Sequence, residues 1–151
     1  MKKWIVIGIV LMFITGGVFA YKHFWQKDKA DQFSLSEKGF NYSGEMGDLE
    51  VNYADPALAD FGVPSYPEAE PVDDKSVGEV NISGQKILMG SFTSSDSNEK
   101  IINFYKSKID DAIVGTVENG ETQTIIKAPN GSSVSVSTKD SLSYIVIVKP
   151  L

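Results

Sequence analysis

The sequence predicts an α+β fold, in which an N-terminal transmembrane helix precedes a small antiparallel β-sheet with one packed α-helix. Three observations predict it. Residues 4–20 are uncharged and apolar, residues 76–151 contain short β-branched runs separated by turn signals, and a capping-box pattern opens an apolar helical stripe between two of those runs. The expected domains are a transmembrane anchor at 1–25, an acidic linker at 26–75, and an α+β domain of order β-β-α-β-β-β-β at 76–151.

Composition excludes several classes of function. The chain has 151 residues, with 14 Lys, no Arg, 20 acidic groups, no Cys and a formal net charge of -6. The lack of cysteine excludes disulfides, thiolate nucleophiles and thiolate metal sites. A negative chain without guanidinium groups is a poor ligand for a polyphosphate, so we expect no nucleic-acid partner. Phosphate-binding glycine loops are absent, and we expect no cofactor.

The apolar run at 4–20 predicts a membrane-spanning helix. At 1.5 Å per residue, a helix of this length covers about 25 Å, slightly less than a bilayer core. Trp4 and Trp25 would lie at headgroup depth on either side, so membrane lipid is the expected partner of this segment. The alternative is a signal peptide that is cleaved before Tyr21.

The expected localisation is single-pass, with the C-terminal domain extracytoplasmic in the periplasm or at the cell surface. Lys2, Lys3 and the terminal amine on one side balance Lys22, Lys27 and Lys29 on the other, so the positive-inside rule does not decide the orientation. The order of a basic start, Lys2 and Lys3, and then an apolar run is that of an export signal. We therefore expect the short N-terminal tail to lie inside and the acidic domain outside.

Small residues recur along one face of the expected helix and predict a helix-packing stripe. Such a stripe lets another membrane helix approach closely, which would supply a membrane-protein partner. The alternative is that glycine is simply common in membrane helices. The stripe consists of Gly8, Met12, Gly16 and Ala20.

The middle segment is acidic, with nine acidic groups and no cation between Lys38 and Lys75. This composition is typical of a solvated linker. Calcium binding is the alternative, but no EF-hand loop organises the carboxylates. The candidate calcium ligands are Glu45, Asp48, Glu50, Asp55, Asp73 and Asp74.

A short helical turn is expected near 55–61 within this linker. Asp55 is a suitable N-cap, and Pro56 has the backbone angle of a first helical residue. Gly62 can end the turn. The apolar side chains that follow, Phe61, Val63 and Tyr66, form a candidate partner surface, with packing onto the domain as the preferred alternative.

Strands are expected near 77–82, 85–93, 112–118, 121–128, 132–138 and 142–149. Asn119-Gly120 suits a type I′ hairpin turn, and the other turns are expected at Ser83-Gly84, Asn130-Gly131 and Lys139-Asp140-Ser141. Between the second and third strands, Asp96 is the expected N-cap of a helix that stops before Asp110.

Candidate catalytic groups are few. The domain has no histidine, which excludes a Ser-His-Asp triad. Ser97 and Lys100 match the S-x-x-K pattern, in which a lysine activates a serine, but the other elements of such sites are missing. The same residues fit the first turn of a helix, so we expect no enzyme activity.

Three segments resemble a known group of proteins. Phe61–Ala69 reads FGVPSYPEA, residues 92–97 read FTSSDS, and Phe104-Tyr105 follows. This order is similar to that of a family of uncharacterised exported bacterial proteins with an LGVPxYPxA segment, then FTTxDSxxxVxxFY, then several strands. The resemblance covers residues 60–150 and implies a location in the bacterial envelope, but no catalytic residue.

Together these observations favour a single-pass, membrane-anchored extracytoplasmic domain with a non-catalytic role. That role is protein-partner binding or service as an accessory subunit of a membrane complex. A small-ligand or calcium-binding envelope domain is the second hypothesis, and a Ser/Lys hydrolase is the third.

Overall fold

The computed structural model describes residues 32–44, 47–118 and 121–151. These residues form ten strands and one helix. The helix α1 spans Asn98–Lys108. In chain order the strands are β1 (Gln32–Ser36), β2 (Gly39–Gly44), β3 (Gly47–Tyr53), β4 (Glu70–Pro71), β5 (Val77–Ile82), β6 (Gln85–Ser94), β7 (Ile113–Glu118), β8 (Thr122–Lys127), β9 (Ser133–Lys139) and β10 (Leu142–Pro150).

All ten strands belong to one antiparallel sheet. Its order is β1-β2-β3-β5-β6-β10-β9-β8-β7, with β4 paired to β6 beside β5. Strands make up 55% of the described residues and the helix 10%. The expected α+β class is therefore wrong, and the described part of the chain is mainly β, with a single helix packed on the sheet. The difference arises because the chain before residue 76 supplies strands as well.

Residues 32–44 and 47–53 belong to the sheet rather than to a linker. They form β1, β2 and β3, and β3 pairs with β5 from Leu49 opposite Ile82 to Tyr53 opposite Gly78. Apolar and polar residues alternate along β3, and Leu49 and Val51 are buried while Glu50 and Asn52 face solvent. This alternation places the acidic side chains of β3 on its solvent-exposed side, so a high acidic content does not prevent the strand from pairing with its neighbours.

The membrane assignment also needs correction. No helix within residues 32–44, 47–118 and 121–151 is long and apolar enough to cross a bilayer. The anchor expected at 4–20 and its packing stripe of Gly8, Met12, Gly16 and Ala20 lie outside the described residues. A single-pass membrane anchor, and the extracytoplasmic location inferred from it, are therefore not supported.

The C-terminal elements lie close to the positions expected from sequence. Each of the last six strands begins and ends within one residue of its expected bounds. Ser83 and Gly84 both have positive φ in the turn between β5 and β6, as a type I′ turn requires. The helix begins one residue late, because Ser97 rather than Asp96 caps it by accepting a hydrogen bond from the Lys100 amide. Near 55–61 only a single turn forms, closed by the Leu58 amide bonding to the Asp55 carbonyl.

Apolar side chains are buried on both faces of the sheet. On one face, α1 and residues 54–69 cover β6, β10, β9 and β8, and Ile101, Tyr105, Val134 and Ile145 are fully buried there. The other face has a smaller apolar cluster, which is formed by residues of β2, β3, β5, β6 and β10 and is built around Val51, Val80 and Met89. On the helix side, Gly90 leaves room for Phe61, since a Cβ at that position would lie 2.4 Å from the Phe61 ring.

Candidate interaction edge

Strand β7 forms one open edge of the sheet and is exposed along its whole length. Among the strands of the described residues it pairs with β8 alone, and all six of its residues are exposed. Ile113 retains 71% of its accessible surface, Val114 41% and Val117 47%. An edge strand also directs unpaired backbone N–H and C=O groups outward, so β7 offers both hydrogen-bonding groups and apolar side chains to solvent.

The position of the helix explains this exposure. Helix α1 contacts β9 and β8, and Ile126 of β8 is fully buried beneath it. The register places Val114 opposite Ile126 and therefore on the helix side of the sheet. Val114 is nevertheless exposed, because the main contacts of α1 are with β9 and β8 rather than with β7. Ile113 and Val117 lie on the opposite side, so β7 exposes apolar groups on both faces.

Features that usually protect a sheet edge are missing from β7. Proteins often place proline, lysine, a bulge or a very short strand at such a position. The sequence of β7, IVGTVE, contains neither proline nor lysine, and its register with β8 is continuous from Ile113 to Glu118. The other edge, β1, is a five-residue strand with two serines. It has one exposed aliphatic side chain, Leu35.

Charge is concentrated at the two ends of β7. Asp110 and Asp111 precede the strand, Glu118 ends it, and Glu121 follows the hairpin turn. All four side chains are exposed. The register places Lys127 opposite Ile113 and the uncharged Thr122 opposite Glu118. The edge therefore has an uncharged centre and acidic ends.

The partner surface expected from Phe61, Val63 and Tyr66 is part of the core. Phe61 is 4% exposed and Tyr66 5%, and Val63 packs against the same cluster. The Phe61 ring meets Phe92 edge-on with 5.9 Å between centroids. The Ser132 hydroxyl donates to the Phe61 carbonyl at 2.9 Å. These contacts fix the segment onto the sheet, as the packing alternative required.

Tyr66 joins this segment to the start of the helix through a polar cluster. Its hydroxyl donates to Asp96 Oδ2 at 2.6 Å, and Lys100 Nζ donates to the same oxygen at 2.9 Å. The two hydrogen bonds, that of Tyr66 first, lower the pKa of Asp96 below its usual value. Burial, followed by the hydrogen bond to Asp96, raises the pKa of Tyr66. The cluster is thus a neutral phenol and an ion pair that hold two segments together.

The S-x-x-K pair does not have the geometry of a catalytic site. Ser97 Oγ accepts the Lys100 amide at 3.3 Å as a helix cap. The Lys100 ammonium points instead to Asp96, and this hydrogen bond raises the pKa of Lys100. A lysine must be neutral to remove a proton from serine, so the arrangement opposes base catalysis.

The carboxylates proposed for calcium are engaged locally. Asp48 accepts the Ser43 hydroxyl at 2.5 Å, Asp55 accepts the Ala57 amide at 2.9 Å, and Asp73 accepts the Lys75 amide at 2.9 Å. Within the described ranges, no group of three or more acidic or histidine side chains could hold a metal ion. Glu45 lies outside them.

Comparison with known proteins gives no further guide to function. No family model, curated protein or solved structure matches the chain. The resemblance of Phe61–Ala69 and residues 92–105 to exported bacterial proteins therefore stays a prediction.

Sequence reasoning placed a strand at 112–118 but did not identify it as an interaction site. The available signal was the lack of alternation: Ile113, Val114 and Val117 are apolar on both faces of an expected strand. Such a pattern predicts a strand that is covered on both sides. That β7 is an edge without cover depends on strand order, which local sequence does not specify.

Proposed function

We propose that this protein is a non-catalytic binding module that takes up an extended segment of a protein partner at the β7 edge. In this mode a peptide adds a strand to an open sheet, with main-chain hydrogen bonds supplying affinity and side chains supplying specificity. The observation that carries the proposal is the exposure of all six β7 residues. They lie on a sheet edge that contains neither proline nor lysine and that pairs with no further strand of the described part of the chain.

The arrangement of the polar clusters supports a non-catalytic role. The Lys100 ammonium is paired with Asp96, and the Ser97 hydroxyl caps the helix. These groups stabilise the domain, so they leave no activated nucleophile in the one motif that suggested hydrolysis.

The proposal is tested by adding an uncharged strand-forming peptide, QQVTVTVQQ, to the full chain and following the backbone amides by NMR. We expect chemical-shift changes and slower hydrogen exchange in alternate amides of residues 113–118, because an added strand bonds only the outward-facing groups. The amides of β1 should be unaffected. A peptide with a central proline, QQVTPTVQQ, is the matched control and should not protect β7.

Variants then locate the site. Changing Ile113 and Val117 together to lysine should weaken peptide binding by at least about fivefold, since cross-strand apolar contacts are lost. Both side chains are exposed, so the fold should be retained. Leu35→Lys, which alters the exposed aliphatic side chain on β1, should leave binding unchanged. Equal protection of β1 and β7, or no protection at all, would reject the proposal.

A further inference from the structure

The acidic ends of the β7 edge specify the charge of its occupant. From Ile113, which follows the two aspartates, to Glu118 the strand advances five residues, which is about 17 Å in an extended strand. This separation exceeds the Debye length of about 8 Å at physiological ionic strength, so the two ends act as separate anionic sites. Between them the edge presents an uncharged stretch, residues 113–117.

We infer that the occupant is an extended segment of another protein with an apolar, β-branched centre and lysine or arginine at both ends; this inference rests on the proposed binding at β7. A basic residue at each end would meet Asp110 and Asp111 on one side and Glu118 and Glu121 on the other. Opposite charges placed across paired strands stabilise the pair, and like charges destabilise it.

A second copy of this chain fits the edge poorly. Antiparallel pairing of two β7 strands brings Asp110 and Asp111 of one copy towards Glu118 and Glu121 of the other. Parallel pairing brings each acidic end against its own counterpart. Both arrangements set carboxylates against carboxylates, and the net charge of -6 on each chain adds further repulsion.

The two ends of the edge differ in how much of their negative charge is offset by a neighbouring lysine. Lys127 lies opposite Ile113 in the register and partly offsets the two aspartates. At the other end, Glu118 is opposite Thr122, which carries no charge. The Glu118 end is therefore the stronger site for a cation, and variants at Glu118 and Glu121 should affect binding most.

The test compares three peptides with one core on the full chain: KKVTVTVKK, QQVTVTVQQ and EEVTVTVEE. At about 20 mM salt we expect the lysine peptide to bind about tenfold more tightly than the glutamate peptide, because each exposed charge pair contributes a small, additive preference. At about 500 mM salt the difference should fall below about threefold, since screening weakens exposed pairs.

Matched variants separate a local effect from one of net charge. Glu118→Gln with Glu121→Gln should remove most of the lysine preference. Glu79→Gln with Asp74→Asn changes the net charge equally at exposed positions in and just before β5, far from β7 in the strand order, and should retain the preference. Sedimentation of the chain alone at low salt should show a monomer.

The outcomes distinguish this inference from the proposed function. Equal binding of all three peptides at β7 would overturn the charge preference but leave strand addition intact. A lysine preference that survives Glu118→Gln with Glu121→Gln, or a dimer joined through β7 at low salt, would also overturn the inference. Binding of none of the peptides would reject strand addition itself.

Discussion

At the scale of single residues, the contacts that hold the molecule together join positions far apart in the chain. Tyr66 bonds to Asp96 across 30 residues, and Asn130 Nδ2 donates to the Gly62 carbonyl across 68 residues at 2.7 Å. The sequence identified Tyr66 as an apolar anchor but not as a hydrogen-bond donor, because its acceptor becomes a neighbour only after folding. Such pairs cannot be predicted from local spacing.

Tyr105 provides a prediction at this scale. Its side chain is fully buried. Its hydroxyl makes no hydrogen bond of standard geometry with any described residue, and only a contact with the Tyr66 backbone lowers its pKa, less than burial raises it. A buried polar group without a partner costs about 1–3 kcal/mol. We therefore expect Tyr105→Phe to be neutral or to stabilise the protein by up to about 1 kcal/mol at neutral pH, measured by urea unfolding. A loss of stability of that size would show that the hydroxyl has a partner.

The same residue predicts a dependence on alkaline pH. Burial raises the pKa of Tyr105 from 10.0 to about 12. Because the unfolded chain ionises first, stability is fully present below pH 10 and falls as the pH rises towards 12. Tyr105→Phe should lose less stability than the wild type over this range. Parallel pH profiles for the two proteins would contradict the assignment.

At the scale of elements, the hairpins are the part of the fold that sequence specifies best. Their turns are short, and glycine or aspartate at positions of positive φ marks them locally. At Lys139-Asp140-Ser141 the sequence indicated the turn, and both Asp140 and Ser141 have left-handed φ values of 51° and 67°. No comparable local sequence feature specifies the order of the strands in the sheet.

The β9–β10 turn yields a prediction at the scale of elements. Serine pays a steric cost in the left-handed region that glycine avoids, and glycine loses more backbone freedom on folding. We expect Ser141→Gly to raise the free energy of unfolding by about 0.5–1 kcal/mol. Ser137→Gly, in the adjoining strand, is the matched control and should lower it by about as much. If both changes destabilise the protein, Ser141 is not strained.

The first three strands show why the domain boundary was missed. Phe40 and Tyr42 alternate with polar residues in β2, as Leu49, Val51 and Tyr53 do in β3. The period-two pattern was therefore present. The run of acidic groups favoured a linker because it was judged by composition, whereas in β3 the two acidic residues, Asp48 and Glu50, are on the solvent-exposed side of the strand.

At the scale of the whole molecule, the two apolar clusters lie on opposite faces of one sheet and share strands β5, β6 and β10. In β6, Leu88 belongs to the helix side and Met89 to the other. Loss of one cluster therefore removes support from strands that also carry the other. This connection predicts that the described residues unfold as one cooperative unit.

The prediction is tested by truncating one buried valine in each cluster. Val51 of β3 is 1% exposed and Val134 of β9 is fully buried, so each change to alanine should cost about 1.5–3 kcal/mol from lost burial and the remaining cavity. In one cooperative unit, both variants should shift a single transition in urea, seen identically by far-ultraviolet circular dichroism and by tyrosine absorbance. If Val51→Ala instead separates an early transition that Val134→Ala does not affect, β1 to β3 are an independently unfolding extension, and the smaller cluster does not connect them to the rest of the sheet.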